Sequence, residues 1–455
     1  MEHDLSQGPA AAPGLIQQLR QNRMVRNLAT ALGGSAGAQL INLALIPVIM
    51  RIYGPEAFGV VGTFLSLTII LIPACSLTWS MAIVLPQRHR DASGLAKLAT
   101  VVALLVSLLV AVVLLFWGPM LAERWNLELL TPYLMLLPLV MFSSAVLEVL
   151  QQWLYRHGRY RLTARAATSH ALVYNGMRSV GGLFNNSATM LVVTSALYYV
   201  VHSLLILIGM AMSKPAPADA TEADEADEAP RKTLRQLASE YRDFPLFRAP
   251  QVLINALSVH MPTLVLASLF GAIPAGYFAL CLQVLAMPSN FIGKAMGSVF
   301  YPRIAAAVHA REAVVGLLLK GVGAMTAIGA SGFLILVIAG PWLFTLAFGA
   351  QWHEAGEYAR WLALAELARF AAMPCEVAIP ALRLQAYFLG FEVFATSLRF
   401  GAVAIGALWG GSALAVVIAI AAANIFIYLA MMSIVVFKAR AWQNRQSGTL
   451  QEAQA

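Results

Sequence analysis

Six basic residues stand within apolar runs, Arg178, Lys294, Lys320, Arg360, Arg369 and Arg399, and four of them, Arg178, Lys294, Arg369 and Arg399, are the candidates for work. Three carboxylates, Glu366, Glu376 and Glu392, stand in similar surroundings. A charge in hydrocarbon is costly, so such residues face a bundle interior or a wet cavity. Helical phase sorts them into stripes. At about 100° per residue, Gln283, Asn290, Lys294 and Tyr301 fall on one line. His170, Tyr174 and Arg178 follow an i, i+4, i+8 spacing, and Gln385, Glu392, Thr396 and Arg399 share a face. Gln251, Asn255 and Ser258 share another. Glu366, Arg369 and Glu376 do the same above a kink expected at Pro374.

If Arg178, Lys294 and Arg399 all face one lumen, cations outnumber anions there. Such a cavity favours an anionic headgroup. Phosphate or pyrophosphate fits, because arginine binds phosphate oxygens bidentately and lysine acts as a point charge. Arg369, Tyr174, Asn255, Asn290 and Gln283 are the further candidate substrate contacts. Glu366, Glu376 and Glu392 are candidates for coupling or ion pairing. Each stripe also has a plainer reading. Polar stripes can be interhelical hydrogen-bond glue worth about 0.6 kcal/mol per contact, and Glu366 and Arg369, three residues apart, can neutralise each other. Lys320 and Arg360 can snorkel to the surfaces, His170 can be a packing histidine, and Gly293 and Gly297 can mark close helix approach. Nothing resembles a phosphate-binding P-loop, so ATP hydrolysis is not expected. No catalytic constellation, metal site or cofactor is expected. Cys75, Cys281 and Cys375 are far apart and read as buried packing residues.

The elements that position these residues follow from composition. Hydrophobic residues make up 60% of the chain and charged residues 11%, and mean hydropathy is +0.73. Soluble domains carry about 25% charge. The chain reads as an all-α polytopic membrane protein, since long apolar runs point to helices and barrels show alternation instead. Spans are expected at 26–49, 57–84, 95–117, 130–153, 165–183, 189–212, 247–269, 275–298, 313–339, 356–379, 386–408 and 412–437. A cleavable signal peptide is not expected. With the N-terminus in the cytoplasm, 22 Lys and Arg fall on that side and 2 on the other. That split places both termini inside and requires an even number of spans. It also assigns the basic pI to orientation in the inner membrane rather than to nucleic acid.

The domains expected are an N-terminal segment (1–25), a first six-helix bundle (26–212), a disordered acidic linker (213–243), a second bundle (244–437) and a cytoplasmic tail (438–455). The halves look related. Ala38 to Asn42, then Pro47 and Tyr53 to Gly59, parallels Gln251 to Asn255, then Pro262 and Phe270 to Gly276. Gly118-Pro119 and Gly340-Pro341 are expected to open matching outer loops. Six spans per copy makes the repeats parallel, related by an axis along the membrane normal, with the substrate path between them. The short outer loops disfavour a membrane polysaccharide polymerase or ligase, and the lumen charges disfavour a scaffold.

Arg51-Ile52-Tyr53-Gly54-Pro55-Glu56-Ala57-Phe58-Gly59, with Ala82 to Pro86, resembles the start of bacterial polysaccharide flippases of the Wzx type. These belong to the multidrug/oligosaccharidyl-lipid/polysaccharide exporter superfamily. Tyr241 to Pro245, Phe300 to Arg303 and Phe348 to Trp352 are similar to their second half. The resemblance implies two six-helix bundles around a cavity and alternating access. It implies translocation of undecaprenyl-pyrophosphate-linked oligosaccharide between leaflets, with lumen cations on pyrophosphate or acidic sugars. Membrane lipids, a polysaccharide polymerase and chain-length or export proteins are the implied partners. A cation-coupled multidrug antiporter of the same superfamily is the alternative. Those usually carry a carboxylate deep in the first bundle, and spans 1, 2, 3, 5 and 6 have none.

Overall fold

The computed structural model describes residues 23–213, 232–310 and 312–452. The side chains of 23–36, Lys294 and some others lie outside that description. The acidic core of the expected linker, 214–231, also lies outside the described residues.

Twelve long helices carry the described chain: α1 (Arg23–Ile52), α2 (Pro55–Cys75), α3 (His89–Arg124), α4 (Leu136–Arg156), α5 (Tyr160–Phe184), α6 (Ala188–Met212), α7 (Ala249–Phe270), α8 (Ala272–His309), α9 (Val314–Phe348), α10 (His353–Ala381), α11 (Gln385–Gly410) and α12 (Ala413–Glu452). The shortest have 21 residues, about 31 Å at the helical rise, which matches a hydrocarbon core of about 30 Å. Among the described residues, nine helices are long and apolar enough to cross a membrane. The exceptions are α1, α5 and α10. For α1 the described side chains cover only Gly37–Ile52, which is apolar but shorter than a span. Helices α5 and α10 carry the polar stripes with Arg178 and Arg369. Those stripes lower their mean hydropathy.

The halves repeat one packing scheme. In the first, α1 lies on α5, α3 on α4, α4 on α6 and α5 on α6. In the second, α7 lies on α11, α9 on α10, α10 on α12 and α11 on α12. The lobes meet where α2 packs on both α7 and α8.

Local chemistry sets the boundaries. Gly54 is extended and Pro55 starts α2 at a position where its missing N–H costs nothing. The expected span 57–84 ends early, at Cys75. Leu77 and Thr78 both take positive φ (48° and 58°), which no α-helix accommodates, and Trp79–Val84 resumes as a 3-10 helix. The Gly-Pro pairs also differ from expectation, since both lie inside helices. Helix α3 runs through its pair to Arg124, whereas α9 reaches Phe348 only across a kink at Ala339 (φ −115°, ψ 15°), directly before Gly340-Pro341, as an interior proline causes.

The last part of the expected linker is ordered. Leu234–Glu240 forms a helix whose first turn is closed by a capping box between Thr233 and Gln236. Leu237 is buried against α3 at Gly94. Thr78 donates to the Phe244 carbonyl at 3.2 Å, and Trp79 donates to that of Tyr241 at 3.2 Å. Lys232 bridges Glu240 and, at 3.6 Å, Asp91. Its hydrogen bond to the Glu240 carboxylate raises the ammonium above its usual lysine value.

At the opposite end the lobes are latched. Trp352 is fully buried, and its indole Nε1 donates to the Met50 carbonyl at 2.8 Å. Gln351 Nε2 donates to the same oxygen at 3.0 Å. Arg51 returns bonds to Leu346 O (2.7 Å) and Ala347 O (3.2 Å). Helices α2 and α8 cross here with no space for side chains. A Cβ on Gly59 would fall on the Ala272 carbonyl, and one on Gly276 on the Pro55 carbonyl.

Candidate functional site

A chamber of about 640 Å³, with polar groups set in a largely apolar lining, lies in the second lobe and is closed on one side by α2. Two ion-paired networks line it. In the first, Arg399 Nε donates to Asn424 Oδ1 at 2.8 Å and Nη1 donates to Ser258 Oγ at 2.9 Å. Glu392 stands 3.7 Å from the same guanidinium and accepts from Asn255 at 3.4 Å. Three helices, α7, α11 and α12, thus meet at one arginine. In the second, Arg369 Nε donates to Glu366 at 2.9 Å, and Ser289 donates to the same carboxylate at 3.1 Å. Gln283 and Asn290 of α8 and Glu376 of α10 complete the polar wall.

Among the described residues, the chamber's lining is not the electropositive one expected. The described lining holds three carboxylates (Glu366, Glu376, Glu392) and two guanidiniums (Arg369, Arg399). Both guanidiniums are engaged by carboxylates. Lys294 lies on α8, but its side chain is outside the described residues. Counting it as lining would bring the balance only to neutral. The chamber therefore suits hydroxyl-rich ligands better than a bare polyanion, since carboxylates accept and amides and guanidiniums donate.

Arg178 and Tyr174 are not part of this chamber. They belong to the first lobe, where Arg178 is buried under the α1–α5 contact. Its guanidinium lies 5.2 Å from the Tyr174 ring, and its backbone carbonyl accepts from Tyr53 at 2.9 Å. The sequence argument put Arg178, Lys294 and Arg399 in one lumen because each was charged. Phase along a helix does not say which neighbour the charged face meets. The partners missed were Asn424 and Tyr428 on α12 and Ser289 on α8. The i, i+4 spacing of Asn424 and Tyr428 inside an apolar run was the signal available for the first two.

On the other face of the α2–α7 pair lies an apolar groove, also about 640 Å³. Leu67, Ile70 and Leu71 of α2 and Leu257, Met261 and Leu264 of α7 line it. Ser268 contributes its one hydroxyl-bearing residue. Among the described residues no group of three His, Cys, Asp or Glu side chains is placed to hold a metal.

Comparison with known proteins places this geometry. The family described as polysaccharide biosynthesis protein matches residues 48–357, more than half of the chain. No curated protein matches. Among solved structures, an inward-facing multidrug resistance MATE family transporter of the MOP superfamily aligns at 16% identity over 92% of this chain and 96% of that one, with a TM-score of 0.69. An outward-facing conformation of such a transporter aligns at 16% identity over 94% and 98%, with a TM-score of 0.60. A MOP superfamily transporter from Pyrococcus furiosus, described for the reversed polarity of its binding pocket, aligns at 16% identity over 92% and 95%, with a TM-score of 0.58. Identities this low establish the fold alone. The chain belongs to the polysaccharide biosynthesis protein family, and its two sets of six long helices share a fold with solved multi-pass transporters of the MATE family.

Proposed function

We propose that the chain moves undecaprenyl-pyrophosphate-linked oligosaccharide repeat units across the bacterial inner membrane by alternating access. One observation carries this reading: the polar chamber and the apolar groove share the α2–α7 wall. A glycolipid needs both surroundings at once. Its sugars lie among the amides and ion pairs near Asn255, Asn424 and Glu392, and its polyprenyl tail lies along Leu67, Leu257 and Leu264. Because the chamber's guanidiniums are committed to carboxylates, it holds the glycan rather than the diphosphate. In this reading the linker end is cytoplasmic, which the distribution of Lys and Arg supports. The latched Trp352 end then faces outward, and the conformer is closed to the outside. A polymerase and chain-length or export proteins would take up the product.

The alternative is a cation-coupled drug antiporter, favoured by the fold of its MATE neighbours. Proteoliposomes separate the two. The proposal expects a fluorescent polyprenyl-diphosphate oligosaccharide to become accessible on the opposite leaflet in a protein-dependent way, and expects no cationic dye to move. Dye efflux with a stationary glycolipid would overturn it.

A further inference from the structure

The first lobe holds a titratable centre of its own. His170 on α5 and His202 on α6 stack face to face with ring centroids 4.6 Å apart and planes 9° apart. Both are buried, 2% and 6% exposed. Tyr198 meets His170 edge-on at 4.3 Å, and Tyr174 stacks on it at 5.8 Å. Tyr174 in turn shares a hydrogen bond with Ser195 at 3.2 Å. Nε2 of His170 and both ring nitrogens of His202 have no hydrogen-bond partner among the described residues. Stacked rings point their nitrogens edgewise, so the two imidazoles do not satisfy each other. A dry, unmatched imidazole nitrogen is unfavourable. The pair is therefore built for a guest that changes its hydrogen-bonding state.

The internal duplication points to the same place. The offset between Gly118 and Gly340 is 222 residues, and it carries His170 onto Glu392 and His202 onto Asn424. In the second lobe those positions form half of the Arg399 network. In the first they are two imidazoles.

The ionisable groups around the pair are few. On α5 the facing charge is Arg178, over Tyr174. On α6 the neighbours are Tyr198 and Tyr199. Helix α1 has no ionisable residue between 37 and 50, and there it offers Asn42, which accepts from Asn175 at 2.6 Å. On α4 the nearest candidate, Glu148, accepts from Ser76 near the linker end. On α2 the acid is Glu56, in its first turn at the latched end.

We propose that His170 and His202 form a proton-binding site in the first lobe whose occupancy biases the latch between the lobes. Two charges on rings 4.6 Å apart in a dry site repel strongly, so the pair takes up one proton. Tyrosine rings around the pair offer π faces to that charge. The route to the latch is a run of contacts. His170 stacks on Tyr174, and Tyr174 lies under Arg178. The Arg178 carbonyl accepts from Tyr53, whose own carbonyl accepts from Gln351 at 3.4 Å. A proton that moves α5 relative to α6 therefore acts on Tyr53, which shares Gln351 with the Met50 carbonyl. This holds whatever the chamber carries.

The test measures the distance between spin labels at Glu128→Cys and Glu354→Cys, one per lobe, in the full chain in lipid nanodiscs. The native cysteines are buried and stay unlabelled. Moving from about pH 7.5 to about pH 4 covers imidazole's ordinary range and continues well below it. A one-unit difference in proton affinity between the two conformers changes their ratio about tenfold. The wild-type ratio should change by that order. The His170→Phe/His202→Phe double variant, which keeps the aromatic stack, should not respond, and His157→Gln at the linker end should respond fully. A pH-insensitive wild type, or a double variant that still responds, overturns the proposal. If the double variant does not fold, ring-nitrogen NMR shifts of wild type decide. One proton entering the pair over this range supports the site, and two unchanged rings reject it.

Discussion

The Gly59–Gly276 crossing sets the closed state of the Trp352 latch, and alanine at either position should open it. At Gly59 the obstacle is the Ala272 carbonyl, and at Gly276 it is the Pro55 carbonyl with Gly59 N at 2.8 Å. These are backbone atoms, so no side chain can swing aside. The helices must part until the contact reaches the ordinary 3.4 Å. The latch bonds nearby run from 2.7 to 3.0 Å for Arg51–Leu346, Trp352–Met50 and Gln351–Met50. Such bonds span about 2.7–3.2 Å and need a nearly straight donor angle, so parting the helices takes them out of range. Each is worth about 1 kcal/mol, and the Arg51 bond is taken no higher because it is exposed. Losing all three costs about 3 kcal/mol, on the order of 100-fold in the closed-to-open ratio. Spin-label distances at the Trp352 end read that ratio directly, and in-gel monodispersity checks the fold. Gly59→Ala protein as closed as the parent would refute the reasoning.

Arg399→Ala should strand Glu392 and Asn424 and cost about 1–3 kcal/mol in thermal stability. Glu392 is 36% exposed, which limits the penalty, and the Arg399→Ala/Glu392→Ala double variant should recover part of it while remaining inactive in glycolipid transfer. Trp352→Ala removes a fully buried side chain and should destabilise by about 3–5 kcal/mol in chemical unfolding. Leu237→Asp should undock the linker helix from α3 and expose Leu234–Glu240 to limited proteolysis, with twelve-helix content unchanged by circular dichroism. Lys232 is raised by Glu240, so its contribution to docking is complete at neutral pH and fades as pH climbs through that raised value. Proteolysis of this helix should therefore increase only above the ordinary lysine range near about pH 10.4.

Much of the fold was legible because it rests on apolar length and internal similarity. All twelve expected spans correspond to long helices, and the Tyr53–Gly59 and Phe270–Gly276 motifs meet at the interlobe crossing. Breaks set by backbone conformation were not legible. Nothing in Leu77-Thr78 announces two positive φ angles, and a Gly-Pro pair reads as a loop until its helix is seen to continue. The chamber was half legible. Phase grouped Glu392 with Arg399 and Glu366 with Arg369 correctly, and each pair proved to be an ion pair. What phase could not supply was the facing helix. That is why Arg178 was pooled with Arg399, and why Asn424 and His202 went unremarked.

Photocrosslinking of a bound glycolipid tests the shared α2–α7 wall most directly. The probe is a polyprenyl-diphosphate oligosaccharide with one diazirine on the tail and, in a second preparation, on the terminal sugar. Mass spectrometry should find the tail probe on Leu67, Leu257 or Leu264, and the sugar probe on Asn255, Glu392 or Asn424. Both probes on the same side of α2–α7, or neither on these residues in a transport-competent preparation, would contradict the account.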